Sequence, residues 1–291
     1  YPLITFINKL LYKIKDSSRF VLTWSKFILY SFYEWVVARV TKLMYSANNK
    51  NSCYENHVII HTCIDSGCMK PNGKFQDRYY PGLKEYLELH NKKVTVLAWL
   101  SNISLNRFKA FSWFRKNKDS FLLPQDYYNT FDCISSIIKV VKSGNLPLQS
   151  FHFRGINYSI LLNREQQLQR RNTGAAYFIN YITVFKNLAK QGYQIESFVD
   201  TWELKYCEVP SLIAIKQYFP QCLTIGIQHA ALIPKLLFAN YKTNIEEFLA
   251  SPHADVGITN SQITKRFLVS EGFPEYYVKI GPAFRYQYLK Y

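Results

Sequence analysis

The chain has 291 residues, 48% of them hydrophobic, enough to bury a substantial core and too many for a disordered polymer. Its 36 Lys plus Arg against 20 Asp plus Glu give a formal charge of +16, which calls for an anionic partner such as a membrane face or a phosphorylated small molecule. No zinc-finger spacing, RRM-type aromatic signature or basic region with heptads accompanies that charge, so nucleic acid is not an expected partner.

Residues 1–50 are aromatic, aliphatic and basic. The run from Phe20 to Val40 is long enough to cross a bilayer, but Lys26, Glu34 and Arg39 would each be costly at mid-depth. Two amphipathic helices divided near Asp16-Ser17-Ser18 are expected instead, either lying on an anionic membrane or capping the domain core. A polar linker over 48–55 separates them from a second unit, residues 51–291. No cleavable signal pattern is present.

That unit opens with HVIIHT (57–62), a compact apolar run expected as the first strand of a parallel sheet. A loop rich in Gly, Pro, Asn and Asp follows, then PGLKEYLELH as a helix with Pro81 in its first turn, and VTVLAWL (94–100) as a second strand. Residues 103–127 read as an irregular excursion containing a short helix. Helices are expected over 131–144 and 171–192, each closed by a glycine. The remaining strands are IESFVD (195–200), LTIGIQ (223–228), ADVGITN (254–260) and a short YVKIGP, with helices at EVPSLIAIKQYFP and SQITKRFLVSEG between them. Strands alternating with helices predict an α/β, doubly wound, mainly parallel Rossmann-like sheet preceded by amphipathic helices. Neither GxGxxG nor GxxxxGK[ST] occurs, so the phosphate cradle of a dinucleotide or P-loop site is missing.

Polar residues cluster at the ends of these strands, the edge at which open parallel sheets bind ligands. They are Asp65, Asp200 with Glu203, Gln228 with His229, and Asn260 with Ser261. A carboxylate beside His229 there could act as a general base toward a hydroxyl, making His229, Asp200 and Glu203 the catalytic candidates. Helix capping competes for Asn260 and Ser261, and a helix-start role for Glu203. Asp77, Arg78 and Tyr80 precede the first helix, where the planar Arg78 fork suits a phosphate or sugar carboxylate. Glu246 lies in the loop after His229. The six cysteines fit a reducing compartment; His61, Cys63 and Cys68 lack the second ligand pair that zinc spacing requires, so no metal is expected.

Taken together, QHA (228–230), Glu246, PHADV (252–256), NS (260–261), EGFP (271–274) and IGPAFRY (280–286) resemble the end of the N-terminal Rossmann-like domain of GT-B glycosyltransferases. The likeness is to bacterial surface-carbohydrate enzymes related to Kdo, polysialic-acid and glycerol-phosphate transferases, and it covers roughly residues 57–289. It implies sugar transfer from a nucleotide-sugar donor, a substrate rather than a cofactor, to a glycan or lipid-linked acceptor held by this domain. The donor would bind a C-terminal nucleotide-binding domain that is missing from the chain, so the covered part is expected to be inactive alone. His229 matches the family's crevice histidine, Asp200 or Glu203 a base, and Arg285 a residue near the interdomain cleft. A cytoplasmic location, peripheral at the inner face of the cell membrane, goes with a lipid-linked acceptor. A nucleotide-sugar epimerase of the same architecture and a non-catalytic binding domain are the rival readings.

Overall fold

A computed structural model describes residues 2–45, 57–70, 73–100, 106–117, 121–147, 150, 152–153, 155–202, 207–228 and 251–284, with the side chains of the first helix described from Lys15 onward. The expected pair of amino-terminal helices is one continuous helix, α1 (Pro2–Tyr45). No Gly or Pro interrupts residues 3–45, and the polar trio that suggested a break is accommodated inside the helix. Ser18 Oγ donates to the Lys15 carbonyl at 3.0 Å, and Asp16 pairs with Arg171.

The strands and helices then alternate. β1 (His57–Ile64) runs two residues further than its expected end, with Cys63 half-buried and Ile64 buried, both paired with β2. α2 (Leu83–Leu89) starts after Pro81, not at it: Gly82, at φ 79°, takes a left-handed turn that a side chain would resist. After β2 (Lys93–Leu100) come α3 (Arg107–Lys116), the two-residue strand β3 (Phe121–Leu122) and a 3₁₀ turn at Pro124–Asp126, where an irregular excursion was expected. α4 (Thr130–Ser143) opens with a reciprocal capping box between Asn129 and Asp132. The hairpin of β4 (His152–Phe153) and β5 (Ile156–Asn157) and the helix α5 (Ser159–Gln169), which no periodicity announced, precede α6 (Thr173–Lys190). Then follow β6 (Ile195–Thr201), α7 (Val209–Tyr218), β7 (Leu223–Ile227), β8 (Val256–Thr259), α8 (Gln262–Ser270) and β9 (Val278–Ile280).

Seven strands form one sheet in the order β3-β2-β1-β6-β7-β8-β9, each paired in parallel with its neighbours. The fold is therefore the expected Rossmann-like α/β arrangement. One face carries Ile59, Leu97 and Phe198 against Phe178, Tyr181 and Phe185 of α6 and Ile215 of α7. The other packs Ile64, Val96 and Ala98 against Phe111 and Phe114 of α3. Each of these fully buried large side chains contributes roughly 1.5–3 kcal/mol by leaving water.

α1 packs on α3 at one face and on α4 and α6 at the other, and also touches the turn after β3. It straddles the β3 edge of the sheet, where exposed backbone would otherwise invite pairing with another chain. At the opposite half of the sheet, Trp202 explains two glycines inside strands. A side chain at Gly257 would come within 2.6 Å of the indole, and one at Gly226 within 3.1 Å.

Candidate functional site

The order in which successive strands are added reverses between β1 and β6, which are themselves parallel. Strands 1 to 3 extend to one side of this seam and strands 6 to 9 to the other, which makes it the switch point where a parallel sheet opens a crevice beyond its carboxyl ends. Asp65 follows β1, Asp200 and Thr201 close β6, Gln228 follows β7 and Asn260 follows β8, so the sequence placed these residues on the correct edge.

The seam carries a buried His–Asp hydrogen bond that the sequence did not reveal. Ile60 of β1 is in register with Val199 of β6, so the next residues, His61 and Asp200, stand side by side and point toward α6. His61 Nδ1 lies 3.0 Å from Asp200 Oδ1, and both side chains are almost fully buried. An N–H donates and a carboxylate accepts, so this contact places the imidazole proton on Nδ1 and makes Nε2 the outer nitrogen. Asp200 Oδ1 also accepts from the Thr201 backbone N–H at 2.7 Å. Neither His61 Nε2 nor Asp200 Oδ2 has a hydrogen-bond partner. The ring is walled by Phe178, Tyr181 and Phe198, with centroids 5.2–6.3 Å away.

Tyr80 approaches the seam from the other face. It is 1% exposed, and its hydroxyl has no hydrogen-bond partner. Burial, reinforced by the negative charges of Asp200 and Asp77, pushes its phenol well above the ordinary tyrosine range. It therefore keeps its proton, and the hydroxyl is available as a donor. Asp77 pins the β1–α2 connection: its Oδ1 accepts from Thr62 Oγ1 at 3.1 Å and from the backbone N–H groups of Tyr79 and Tyr80 at 2.7 and 3.0 Å. Burial still raises its carboxyl, because it outweighs those three donors. Asp77 and Tyr80, expected to bind substrate, are both buried, Asp77 with its Oδ1 engaged within the β1–α2 connection.

Asp65 and Arg78 pair beyond the carboxyl end of β1. Arg78 Nη1 reaches Asp65 Oδ2 at 2.5 Å, and Asp65 Oδ1 accepts from the Gly67 N–H at 2.7 Å. The guanidinium side chain is 60% exposed, so the pair is screened by water and open to an incoming anion. Across the seam, Thr201 Oγ1 donates to Glu208 Oε1 at 2.6 Å, at the start of α7. Gln228 is buried; its backbone N–H donates to Ile258 and its Oε1 accepts from the Asn260 N–H. Ser261 caps α8, accepting from the Thr264 N–H at 3.1 Å, so capping wins for this residue but not for Asn260. Glu203, His229, Glu246 and Arg285 lie outside the described residues.

His61, Thr201 and Glu208 were missing from the expected set. His61 lies near Cys63 and Cys68 in sequence, but the imidazole faces α6 while Cys68 packs in the cluster of α3 on the other face. Among the described residues no group of three or more His, Cys, Asp or Glu side chains could hold a metal ion. Burial pushes the thiols of Cys68 and Cys133 up to about 11 and that of Cys222 up to about 12, which makes them poor nucleophiles.

No protein-family model, curated protein or solved structure matches the chain.

Proposed function

We propose that this chain is the acceptor-side, Rossmann-like lobe of a GT-B glycosyltransferase that moves a sugar from a nucleotide-sugar donor to a glycan or lipid-linked acceptor. The observation that carries the reading is the switch-point seam. There Asp65 and Arg78 pair beyond the carboxyl end of β1 and the buried His61–Asp200 contact joins β1 to β6, in a chain without a glycine-rich phosphate cradle after its first strand. Such an edge suits a hydroxylated acceptor better than a dinucleotide.

In this reading a base takes the proton of an acceptor hydroxyl while its oxygen attacks the anomeric carbon. The bond from that carbon to the donor phosphate breaks, and its electron pair leaves with the nucleotide. His229 and either Asp200 or Glu203 are the candidates for that base. His61 holds one oxygen of Asp200 and leaves the other unpaired, so it acts as a positioning residue. The donor would be bound by a second lobe, and the reaction would run at the cytoplasmic face of the membrane that carries the acceptor.

The test is turnover of CMP-, UDP- and CDP-linked sugars by the full-length protein, with and without glycan acceptor. Acceptor-dependent turnover that falls by about 100-fold or more in His229→Ala and Asp200→Asn is the expected result. Consumption of a nucleotide sugar without acceptor would favour the epimerase instead. No turnover of any donor, with the biological role intact in both variants, would leave a binding domain.

A further inference from the structure

α1 is apolar on two opposite sides, and only one of them is used by the domain. Trp24, Phe27, Val37 and Ala38 are buried, together with Ser31, Glu34 and Thr41. At 3.6 residues per turn, Leu22, Leu29, Phe32, Tyr33, Val40 and Met44 fall on the reverse side, and all six are exposed. A helix apolar all round is normally enclosed, yet here half of it faces outward from the edge of the sheet.

The charges say what covers that half. Lys15, Arg19, Lys26 and Lys42 are all exposed. The two acids among the described side chains of the helix are each matched: Asp16, partly exposed, by Arg171, and the buried Glu34 by Arg107 Nε at 2.8 Å. The outward side therefore presents apolar residues fringed by cations, with no unmatched carboxylate to answer them. A second copy of the same helix would bring like charge against like charge. The helix backbone continues to Pro2 through a stretch that holds Lys9 and Lys13 and no acid. None of the described helices is long and apolar enough to cross a membrane.

We infer that the outward side of α1 is an interfacial anchor that lies in the headgroup layer of an anionic bilayer, apolar residues down and lysines toward the lipid phosphates. This surface supplies both terms of such binding, buried apolar area and attraction to anionic lipid. The inference rests on the helix alone and is independent of the sugar-transfer reading.

The experiment is co-sedimentation of the whole chain with vesicles of phosphatidylcholine alone and with about one third phosphatidylglycerol, at low and high salt, beside sedimentation equilibrium without lipid. The wild type is expected to pellet with anionic vesicles and to be released by salt or by omitting the anionic lipid. Leu22→Glu/Leu29→Glu, at exposed positions, should lower the partition coefficient at least tenfold with unchanged circular dichroism. Lys15→Gln/Lys26→Gln should lower it about fivefold for each cation removed. Failure of the wild type to bind anionic vesicles, or equal binding by the glutamate variant, overturns the proposal. So does a lipid-free dimer dissolved by the same two substitutions, which would make the stripe an interface between copies.

Discussion

Two buried carboxylates, Glu34 on α1 and Asp200 on β6, show how differently one chain treats the same chemical group. Both oxygens of Glu34 are matched: Oε1 by Arg107 Nε at 2.8 Å and Oε2 by Gln125 Nε2 at 3.1 Å. Arg107 also donates to the Tyr30 hydroxyl at 2.6 Å, so the network ties α1 to α3 and to the turn after β3. Asp200 has one oxygen doubly occupied and the other without a partner, facing a histidine in the same condition. A matched buried acid is a joint between elements. A half-matched pair at a switch point holds hydrogen-bonding capacity in reserve, which a packed interior rarely tolerates without a use.

The contrast breaks most sharply by removing one partner from the matched network. Arg107→Ala strands a charge in the interior and should cost roughly 3–5 kcal/mol in urea unfolding, whereas replacing both partners together, Glu34→Leu/Arg107→Met, should recover most of that loss. Asp200→Asn should cost less, about 1–3 kcal/mol, because only one of its oxygens is engaged in the native state. If the sugar-transfer proposal holds, its effect on turnover should exceed its effect on stability. An Asp200→Asn protein as unstable as Arg107→Ala would show that the two acids do the same work.

A finer test uses pH. Burial raises the Glu34 carboxyl, outweighing Arg107, Tyr30 and Gln125. The folded state then holds its proton at pH values where the unfolded chain has released it. Stability should fall as pH climbs from the ordinary glutamate range toward the folded value, and Glu34→Gln should remove that part of the slope in pH-dependent unfolding. Asp255 supplies the opposite sign at the far half of the sheet. Burial pushes its carboxyl up, but the bonds from Lys216 and Thr224 outweigh this and leave it below the usual range. Its contribution is present above the unfolded value and lost as pH drops through the folded one. This partly exposed pair gives the smallest effect, and added salt should reduce it further.

Much of the sheet was legible because buried parallel strands are written as unbroken Val, Ile and Leu runs: HVIIHTCI, VTVLAWL and LTIGI stand out without reference to partners. β3 escaped because two residues display no period. α1 was divided in two because Asp16, Ser17 and Ser18 look like a break until Arg171, far along the chain, is known to answer the acid. The carboxyl-edge positions of Asp65, Asp200, Gln228 and Asn260 followed from the strand-end rule. The partner of Asp200 did not, since strand register is a property of the folded sheet. One clue was present: an imidazole within HVIIHTCI and a carboxylate within IESFVDT are ionisable groups inside apolar strands, and each needed an explanation that the other supplies.

The His61–Asp200 contact joins residues 139 positions apart. β1, α2 and β2 form one short-range unit, and β6 through β9 form another, so each half is able to assemble from nearby sequence. Their junction requires the closure of the long segment between them, an entropic cost met only when the whole sheet assembles. The seam thus depends on a long-range closure that the contacts within each half do not need. Separating the two halves of the sheet would therefore leave each half its own strand pairs and abolish the His61–Asp200 contact.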